Sequence, residues 1–577
     1  MQTFTEATRW RKPTKRKGNG RNYAQQRQVI PGKSRLMTST SSGTKAFKVD
    51  DWGRLARFLI LGADKPTFYA TKRQLVRDNA RVVERCIKED GIRTVDLIAE
   101  VSIQGSAPNN DPALFALAMC ATLGGLHTRQ YALGRLSDVA RIGTHLFHFV
   151  AYCEGLGHGW GRNMRRAIRG WYNEKAPDKL AYQILKYKQR DGWSHKDLLA
   201  LAHPRTSNKE RDAIYRYIVA GIDGLGKRTV LKHNGRRKVR KTYPDVSRHL
   251  PAQIFAAHDV HKVSKRKAKQ LIEEHRMTHE MVPNELKNDP EVWEIMLETM
   301  PIGAMVRNLG KMTSIGLLDR MSRASKLVID RLGDMERIRR ARLHPIEFLK
   351  ANRVYGAGRG DKGSLCWDPV RGIVRALDDG FYLAFGAIEP SGVNTGLFID
   401  VSGSMAWDTS RVKSMANMTA RELSGAMALV TANVEPYWEI IAFSGGYDSL
   451  EEIPIEPGMK LDTVVNRMER MRAGSTNLSL PFEYARGRGV PIETFIVYTD
   501  NETNHFGSLH PSEALRRYRK ETGIDAKLIV VGMVANDISI ADPTDHGMLD
   551  VVGFDTNAPS VMADFAKGAY EIDVEQG

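Results

Sequence analysis

Leu397-Phe398-Ile399-Asp400-Val401-Ser402-Gly403-Ser404 decides how the C-terminal third of this chain is read. An apolar run of this kind predicts a strand. It ends by presenting one carboxylate and two hydroxyls, Asp400, Ser402 and Ser404, on a single turn. Hard oxygen donors grouped in this way suit Mg²⁺, which takes octahedral oxygen coordination and keeps several waters. Downstream, Gly474-Ser475-Thr476-Asn477 adds a hydroxyl, and Phe495-Ile496-Val497-Tyr498-Thr499-Asp500 is a second strand candidate ending in a carboxylate. An isolated Asp-x-Ser-x-Ser arises by chance in a long chain. Carried on a strand and joined by two further segments, it makes Asp400, Ser402, Ser404, Thr476 and Asp500 a candidate ion site. The competing reading is that these serines and aspartates are turn formers and helix caps.

The surroundings fit an α/β domain. Short apolar runs at 396–401, 437–443, 493–499 and 526–533 read as strands, and helical patterns lie near 411–432, 461–472 and 511–520. Strand–helix alternation predicts a parallel, doubly wound sheet covered on both faces. Such sheets bind ligands beyond the carboxyl ends of their strands, where Asp400 and Asp500 fall. No histidine or lysine accompanies the motif as an acid or base; His505 is the nearest candidate and lacks a partner. The chain is therefore expected not to be an enzyme.

With 577 residues, 42% of them hydrophobic and 27% charged, the chain exceeds a single core. About two to four globular domains are expected. No apolar run reaches the roughly 18 residues of a membrane span, and the basic N-terminus lacks the apolar core of a signal peptide. Four scattered cysteines, Cys86, Cys120, Cys153 and Cys366, form neither a CxxC nor a cluster with histidine. That pattern fits a reducing, cytoplasmic setting without disulfides or zinc.

Charge divides the chain. Residues 1–48 carry a net +11, residues 391–577 a net −12, and the intervening body +20. Residues 1–48 lack hydrophobic periodicity and read as a basic disordered arm. The body, taken as 49–375, is helical in pattern, with segments at 72–89, 112–123, 127–141, 144–154, 178–190 and 195–203. Ser194-His195-Lys196-Asp197 reads as a capping box with Asp in place of Glu. Serial helices of this length predict stacked α-solenoid repeats, although no fixed sequence period is visible. The acidic remainder, 376–577, holds the α/β domain.

One helix is instructive. Met164, Ala167, Ile168 and Trp171 form an apolar stripe, and Arg162, Arg165, Arg166 and Arg169 repeat the spacing on the opposite face. Lys186 and Arg190, four apart, are expected on one helix face, with His203 closing a helix before Pro204. Clustered guanidinium groups match phosphate oxygens, and nearby Trp171, Tyr172, Tyr187 and Trp193 are candidates to stack on unpaired bases. For any one of these residues a solvated charge or a core aromatic is the commoner role; the cluster carries the signal. Lys232–Lys241 adds a basic stretch around Asn234-Gly235, read as a loop or hairpin.

The five oxygen-bearing residues resemble the metal-ion-dependent adhesion site of von Willebrand factor A domains. That resemblance implies Mg²⁺ bound directly by Ser402, Ser404 and Thr476, with Asp400 and Asp500 acting mostly through water. Longer segments resemble the Ro autoantigen family, the RNA-binding proteins that carry a TROVE module. They include Trp171–Lys175, Lys186-Tyr-Lys-Gln-Arg-Asp-Gly-Trp-Ser-His-Lys-Asp-Leu-Leu199, Leu271–Arg276, Arg307–Thr313, Phe495–Thr503, Ile540–Pro543 and Gly553–Thr556. The likeness spans roughly 53–570, and the stretch 223–245 is more basic than the family usually shows.

The Ro resemblance implies a multidomain fold: an α-helical ring of HEAT-like repeats, monomeric, plus the von Willebrand factor A domain. It implies small noncoding Y-like RNAs on the basic outer surface and single-stranded 3′ ends of misfolded RNAs in the central hole. A 3′-to-5′ exoribonuclease tethered through such RNA is a further implied partner. Lys186, Arg190 and His203 match positions of Y RNA contact by motif, whereas Arg162, Arg165, Arg166 and Arg169 rest on helical spacing. The expected role is a scaffold in noncoding-RNA quality control. The alternative is a Mg²⁺-dependent protein-adhesion module whose basic body gives only solubility.

Overall fold

The computed structural model describes residues 37–39, 45–47, 51–61, 67–69, 80–104, 109–234, 237–360, 364–406, 411–416, 418–444, 450–456, 458–471, 476–499, 509–533, 541–542, 545 and 547–568. It divides into two compact units, one from Met1–Val82, His344–Lys350 and Phe381–Gly577, the other from Val83–Leu343 and Ala351–Gly380. The boundary expected at 375/376 falls inside the helix Arg371–Leu383. Within the arm expected to be disordered, Met37–Ser39 and Lys45–Phe47 pair antiparallel; the rest of 1–48 lies outside the described residues.

The first unit is built on a seven-stranded sheet. Its order is Glu451–Glu452, Trp438–Phe443, Thr395–Asp400, Thr494–Thr499, Lys527–Gly532, Met548–Val552 and Thr67–Tyr69. All neighbours run parallel except the edge strand Glu451–Glu452. Thr395–Asp400 is buried at every position because helices cover both faces, which explains its unbroken apolar run. The next strand of this sheet along the chain, Trp438–Phe443, lies on one side of it and Thr494–Thr499 on the other. The strand order thus reverses at Thr395–Asp400, making its carboxyl end the crevice of the sheet.

The three-residue strand Thr67–Tyr69 pairs with Met548–Val552, bringing N-terminal chain into a sheet otherwise formed after residue 394. The helix expected over 411–432 begins only at Ala420. Before it, Arg411–Val412 and Met418–Thr419 pair antiparallel, and Thr419 with Glu422 forms the capping box that starts the helix.

The second unit is rich in helices of moderate length, packed serially. Asp111–Leu123 packs against Leu126–Gly134 and Gly143–Gly155, Arg162–Glu174 against His195–Ala202, and Lys265–Glu274 against Pro290–Thr299. Stripe residues Met164, Ile168 and Trp171 are all buried. The Ser194–Asp197 capping box is present in both directions. Near the far end, Arg331 donates to the Leu297 and Glu298 carbonyls and so caps the helix Pro290–Thr299 from a neighbouring element.

One position tests the sheet packing. A Cβ on Gly396 would stand 2.6 Å from Ile492 Cδ1 and 2.8 Å from Phe398 Cε2 inside the core. Gly396→Val should therefore lower stability by about 1–3 kcal/mol through overpacking, measured by urea unfolding.

Candidate functional site

Asp400 is the last residue of its strand and is 0% exposed. Its Oδ1 accepts the Ser402 N–H at 2.8 Å and its Oδ2 the Thr499 hydroxyl at 3.1 Å. The register opposes Asp400 to Phe443, and the following Ser444 carbonyl accepts the Asn477 N–H at 3.3 Å. That bond brings buried Thr476 to the end of the neighbouring strand. Asp400, Ser402 and Thr476 therefore all lie at the carboxyl edge of the sheet, at the ends of two neighbouring strands. Ser404 lies in the short 3-10 turn Gly403–Ala406, while Asp500, next after Thr499, lies outside the described residues.

Asp400, Ser402 and Thr476 are buried oxygen donors, with neither sulfur nor imidazole among the three, which fits a hard divalent cation. Sequence reasoning missed Arg421. Burial lowers its guanidinium pKa, while the fields of Glu469 and Asp400 act the other way, so it stands within electrostatic reach of the Asp400 carboxylate. Its signal was its place in the first turn of the helix that follows the motif.

In the helical unit, Arg162, Arg165 and Arg166 are exposed along Arg162–Glu174. Among the described residues none of them pairs with a carboxylate. Arg169 differs. It is half-buried, and its Nε donates to the Ala202 carbonyl, satisfying the last turn of His195–Ala202.

Lys186 is the final residue of Pro177–Lys186. Its ammonium donates to the Tyr182 hydroxyl at 3.2 Å and lies 5.5 Å from the ring centroids of both Tyr182 and Tyr187. Partial burial opposes its charge, but the Tyr182 hydrogen bond and the fields of Tyr182, Tyr187 and Glu280 outweigh it and raise its pKa.

Arg190 does not extend that helix face, contrary to expectation. The helix stops at Lys186, and Gln189–Arg190 pairs with Trp193–Ser194 across Asp191-Gly192. Both turn residues have positive φ, 50° and 80°, the conformation an Asp-Gly hairpin turn requires. His148 Nδ1 holds the Asp191 carboxylate, fixing the turn on which exposed Arg190 stands. His203 closes its helix in the left-handed conformation, φ 51° and ψ 57°, and is exposed.

The aromatics divide. Trp171 and Tyr172 are fully buried and cannot stack on a ligand, while Trp193 and Tyr187 are partly exposed. Trp171 Nε1 donates to the Ala140 carbonyl, and Tyr172 Oη lies 2.7 Å from His195 Nδ1. A cleft of about 460 Å³, lined by Arg141, Lys175, Lys179, Tyr182 and Gln183 among others, adjoins Lys186 through Tyr182. In it Lys175 sits 3.9 Å over the Trp171 ring, and burial lowers its pKa to about 8. Sequence reasoning missed this cleft; Lys175 and Lys179, four apart and followed by Tyr182, were its signal.

Burial holds the pKa of His145 and His195 at about 4. Each is neutral in the fold but titrates near 6.5 when unfolded. Stability is therefore full above about pH 6.5 and falls as pH drops towards 4, by at most about 1.4 kcal/mol per unit for each group. In His195→Gln the decline of unfolding free energy over that interval should be shallower, measured by denaturant titration at each pH.

Comparison with known proteins follows this division of the chain. Residues 38–354 match the family model of the TROVE domain, and 395–566 that of the Ro60 vWA domain. A Caenorhabditis elegans protein named RNA-binding protein RO60 is 35% identical over 92% of this chain and 90% of its own length. A Deinococcus radiodurans protein of the same name is 36% identical over 92% of this chain and 95% of its own. The crystal structure of the Deinococcus radiodurans RO (RSR) protein aligns with a TM-score of 0.79 at 35% identity, covering 90% of this chain and all of that one.

Proposed function

Because the chain belongs to the Ro60 family, a TROVE domain followed by a Ro60-type vWA domain, we propose that it binds RNA through the basic wall of its helical unit. The observation that carries this reading is a set of cations with no carboxylate ion pair among the described residues: exposed Arg162, Arg165, Arg166 and Arg190, and half-buried Lys186. Phosphate contacts of this kind supply affinity that depends steeply on salt and little on sequence. Partly exposed Tyr187 and Trp193 add surfaces on which unpaired bases stack. Arg169 contributes mainly by holding the helix.

The finer reading follows family membership. The ligand of the wall is a small structured Y-like RNA, contacted by Lys186, Arg190 and His203. Misfolded RNAs enter by single-stranded 3′ ends through the central hole of the family's ring. The protein then acts in the cytoplasm as a non-catalytic scaffold for RNA quality control, presenting RNA to a 3′-to-5′ exoribonuclease. No helix among the described residues is long and apolar enough to cross a membrane.

The acidic unit has a separate task in this reading. Asp400, Ser402, Ser404, Thr476 and Asp500 would hold Mg²⁺ at the sheet's crevice. The ion would supply an open position for an acidic group of a protein partner. Asp400 is kept ready for it by the Ser402 N–H and the Thr499 hydroxyl.

Lys186→Ala with Arg190→Ala should weaken a structured RNA at least tenfold at about 0.1 M salt, with an unchanged melting temperature. Losing two phosphate contacts lowers the salt slope by roughly 1.4–1.8, read by filter binding across a salt series. Unaltered affinity in that double variant would refute the assigned wall.

For the ion site, Mg²⁺ at about 10 mM should raise the melting temperature of the native chain and leave that of Asp400→Asn unmoved. RNA affinity should be insensitive to chelator. Capture of a protein partner that survives nuclease but not chelator would instead favour the adhesion reading.

A further inference from the structure

Between the short 3-10 helices Ile222–Gly224 and Ser247–His249 the chain leaves the helical pattern as an antiparallel ribbon, Arg228–Asn234 paired with Arg237–Tyr243. From Lys227 to Tyr243 it carries eight Lys/Arg and no Asp or Glu. We propose that this ribbon is a second, separate contact for the RNA phosphate backbone. The face assigned to it carries Arg228, Lys232, Arg237 and Lys241. The inference rests on the RNA-binding reading above and adds to it a site that neither the helical wall nor the ion site contains.

The register is the core of the argument. Pairing is Arg228↔Tyr243, Val230↔Lys241, Lys232↔Val239 and Asn234↔Arg237 on one face. Every second residue shares a face, so the four cations fall at successive steps of about 6.8 Å, switching strand at each step. None stands directly opposite another cation. Like charges opposite one another destabilise a strand pair, so this stagger is how the ribbon tolerates its charge. The other face pairs Thr229↔Thr242, Leu231↔Arg240 and His233↔Lys238, with only two Lys/Arg. Thr229 and Thr242 are both exposed and share a hydrogen bond of 3.1 Å.

The ribbon also has the mechanics of a docking arm. Among the described residues neither strand packs on another helix or strand beyond isolated contacts. Its root is firm. The Val246 N–H donates to the Leu225 carbonyl at 3.0 Å, Arg216 donates to the Pro244 carbonyl at 2.9 Å, and Leu225 and Val246 are buried. A two-stranded ribbon with little further packing is only marginally stable, and a run of like charge along it weakens it further. A regular polyanion removes that repulsion and orders the ribbon. An evenly stepped row with two small valines and one aromatic on its face suits a repeating phosphate chain better than an apolar surface.

The test is a salt series on a labelled stem-loop RNA with a single-stranded 3′ tail, using the full chain. Combined Arg228→Gln, Lys232→Gln, Arg237→Gln and Lys241→Gln should cut affinity at least tenfold at about 0.1 M salt. The slope of log affinity against log salt should fall by about 2–4, at 0.7–0.9 per phosphate contact. Lys238→Gln with Arg240→Gln, on the opposite face, should lower it by less than about 1. Because the root is already closed by hydrogen bonding, replacing 228–243 with two glycines should reproduce the fourfold variant's loss without changing the melting temperature.

An unchanged slope in both the fourfold and the excised variants, while Lys186→Ala with Arg190→Ala still loses RNA, overturns the ribbon and leaves the wall standing. A native protein that binds no RNA at low salt overturns both. Anionic phosphatidylserine vesicles that need the four cations, with RNA binding unaffected by them, would assign the ribbon to membranes instead.

Discussion

A helix can offer a row of guanidinium groups to solvent only if its opposite face is held firmly enough to outweigh their repulsion. In Arg162–Glu174 that hold comes from Met164, Ile168, Trp171 and Tyr172, all buried. Burying a Trp or Tyr removes some 150–250 Å² from water, a gross gain of roughly 4–6 kcal/mol each. Like charges four apart oppose the helix by only a few tenths of a kcal/mol. Packing wins by an order of magnitude, and the polar ends of the same side chains fix the position. Trp171 donates to the Ala140 carbonyl, Tyr172 meets His195, and Arg169 reaches the Ala202 carbonyl. Arg162, Arg165 and Arg166 inherit a rigid base without contributing to it.

The sheet unit solves an opposite electrostatic problem. Asp400 is a carboxylate with no exposure at the centre of a hydrophobic sheet, and an uncompensated charge there would cost several kcal/mol. Its oxygens accept from Ser402 and Thr499, and the Arg421 guanidinium feels its field. Each of these compensates part of the burial cost.

The features legible in the sequence were those with a local period. The apolar stripe of Arg162–Glu174, the central strands and the Ser194–Asp197 capping box all lie where periodicity and cap chemistry put them. What escaped was set by neighbours distant in sequence or by turn geometry overriding helix period. Lys186 and Arg190 have helical spacing, yet Asp191-Gly192 favours a tight turn and pulls Arg190 onto a strand pair. Trp171 and Tyr172 read equally well as stacking platforms until the tertiary contacts that bury them are known. Thr67–Tyr69 is too short to show alternation, and nothing near it announces a partner some 480 residues away. The strand that ends at Asp400 and the turn at Ser402 were legible because apolar run and motif coincide, whereas Arg421 comes near Asp400 by tertiary proximity alone.

Charge pairing differs between the two units. In the sheet unit the arginines of Pro511–Thr522 are neutralised internally: Arg516 by Glu513 and Asp542, Arg517 by Glu521, and Arg519 by Asp545. A polyanion approaching that surface would have to displace carboxylates already in place. In the helical unit, ion pairs occupy Arg135 with Asp96 and Asp138, Arg337 with Asp334, and Arg339 with Glu336. Among the described residues the ion pairs leave out Arg162, Arg165, Arg166, Lys186 and Arg190. In the reading proposed above, a phosphate chain bound there would displace no carboxylate ion pair among the described residues, and counter-ion release would supply affinity. In that reading the distribution of internal ion pairs, more than the net charge of +19, selects the surface that a nucleic acid would meet.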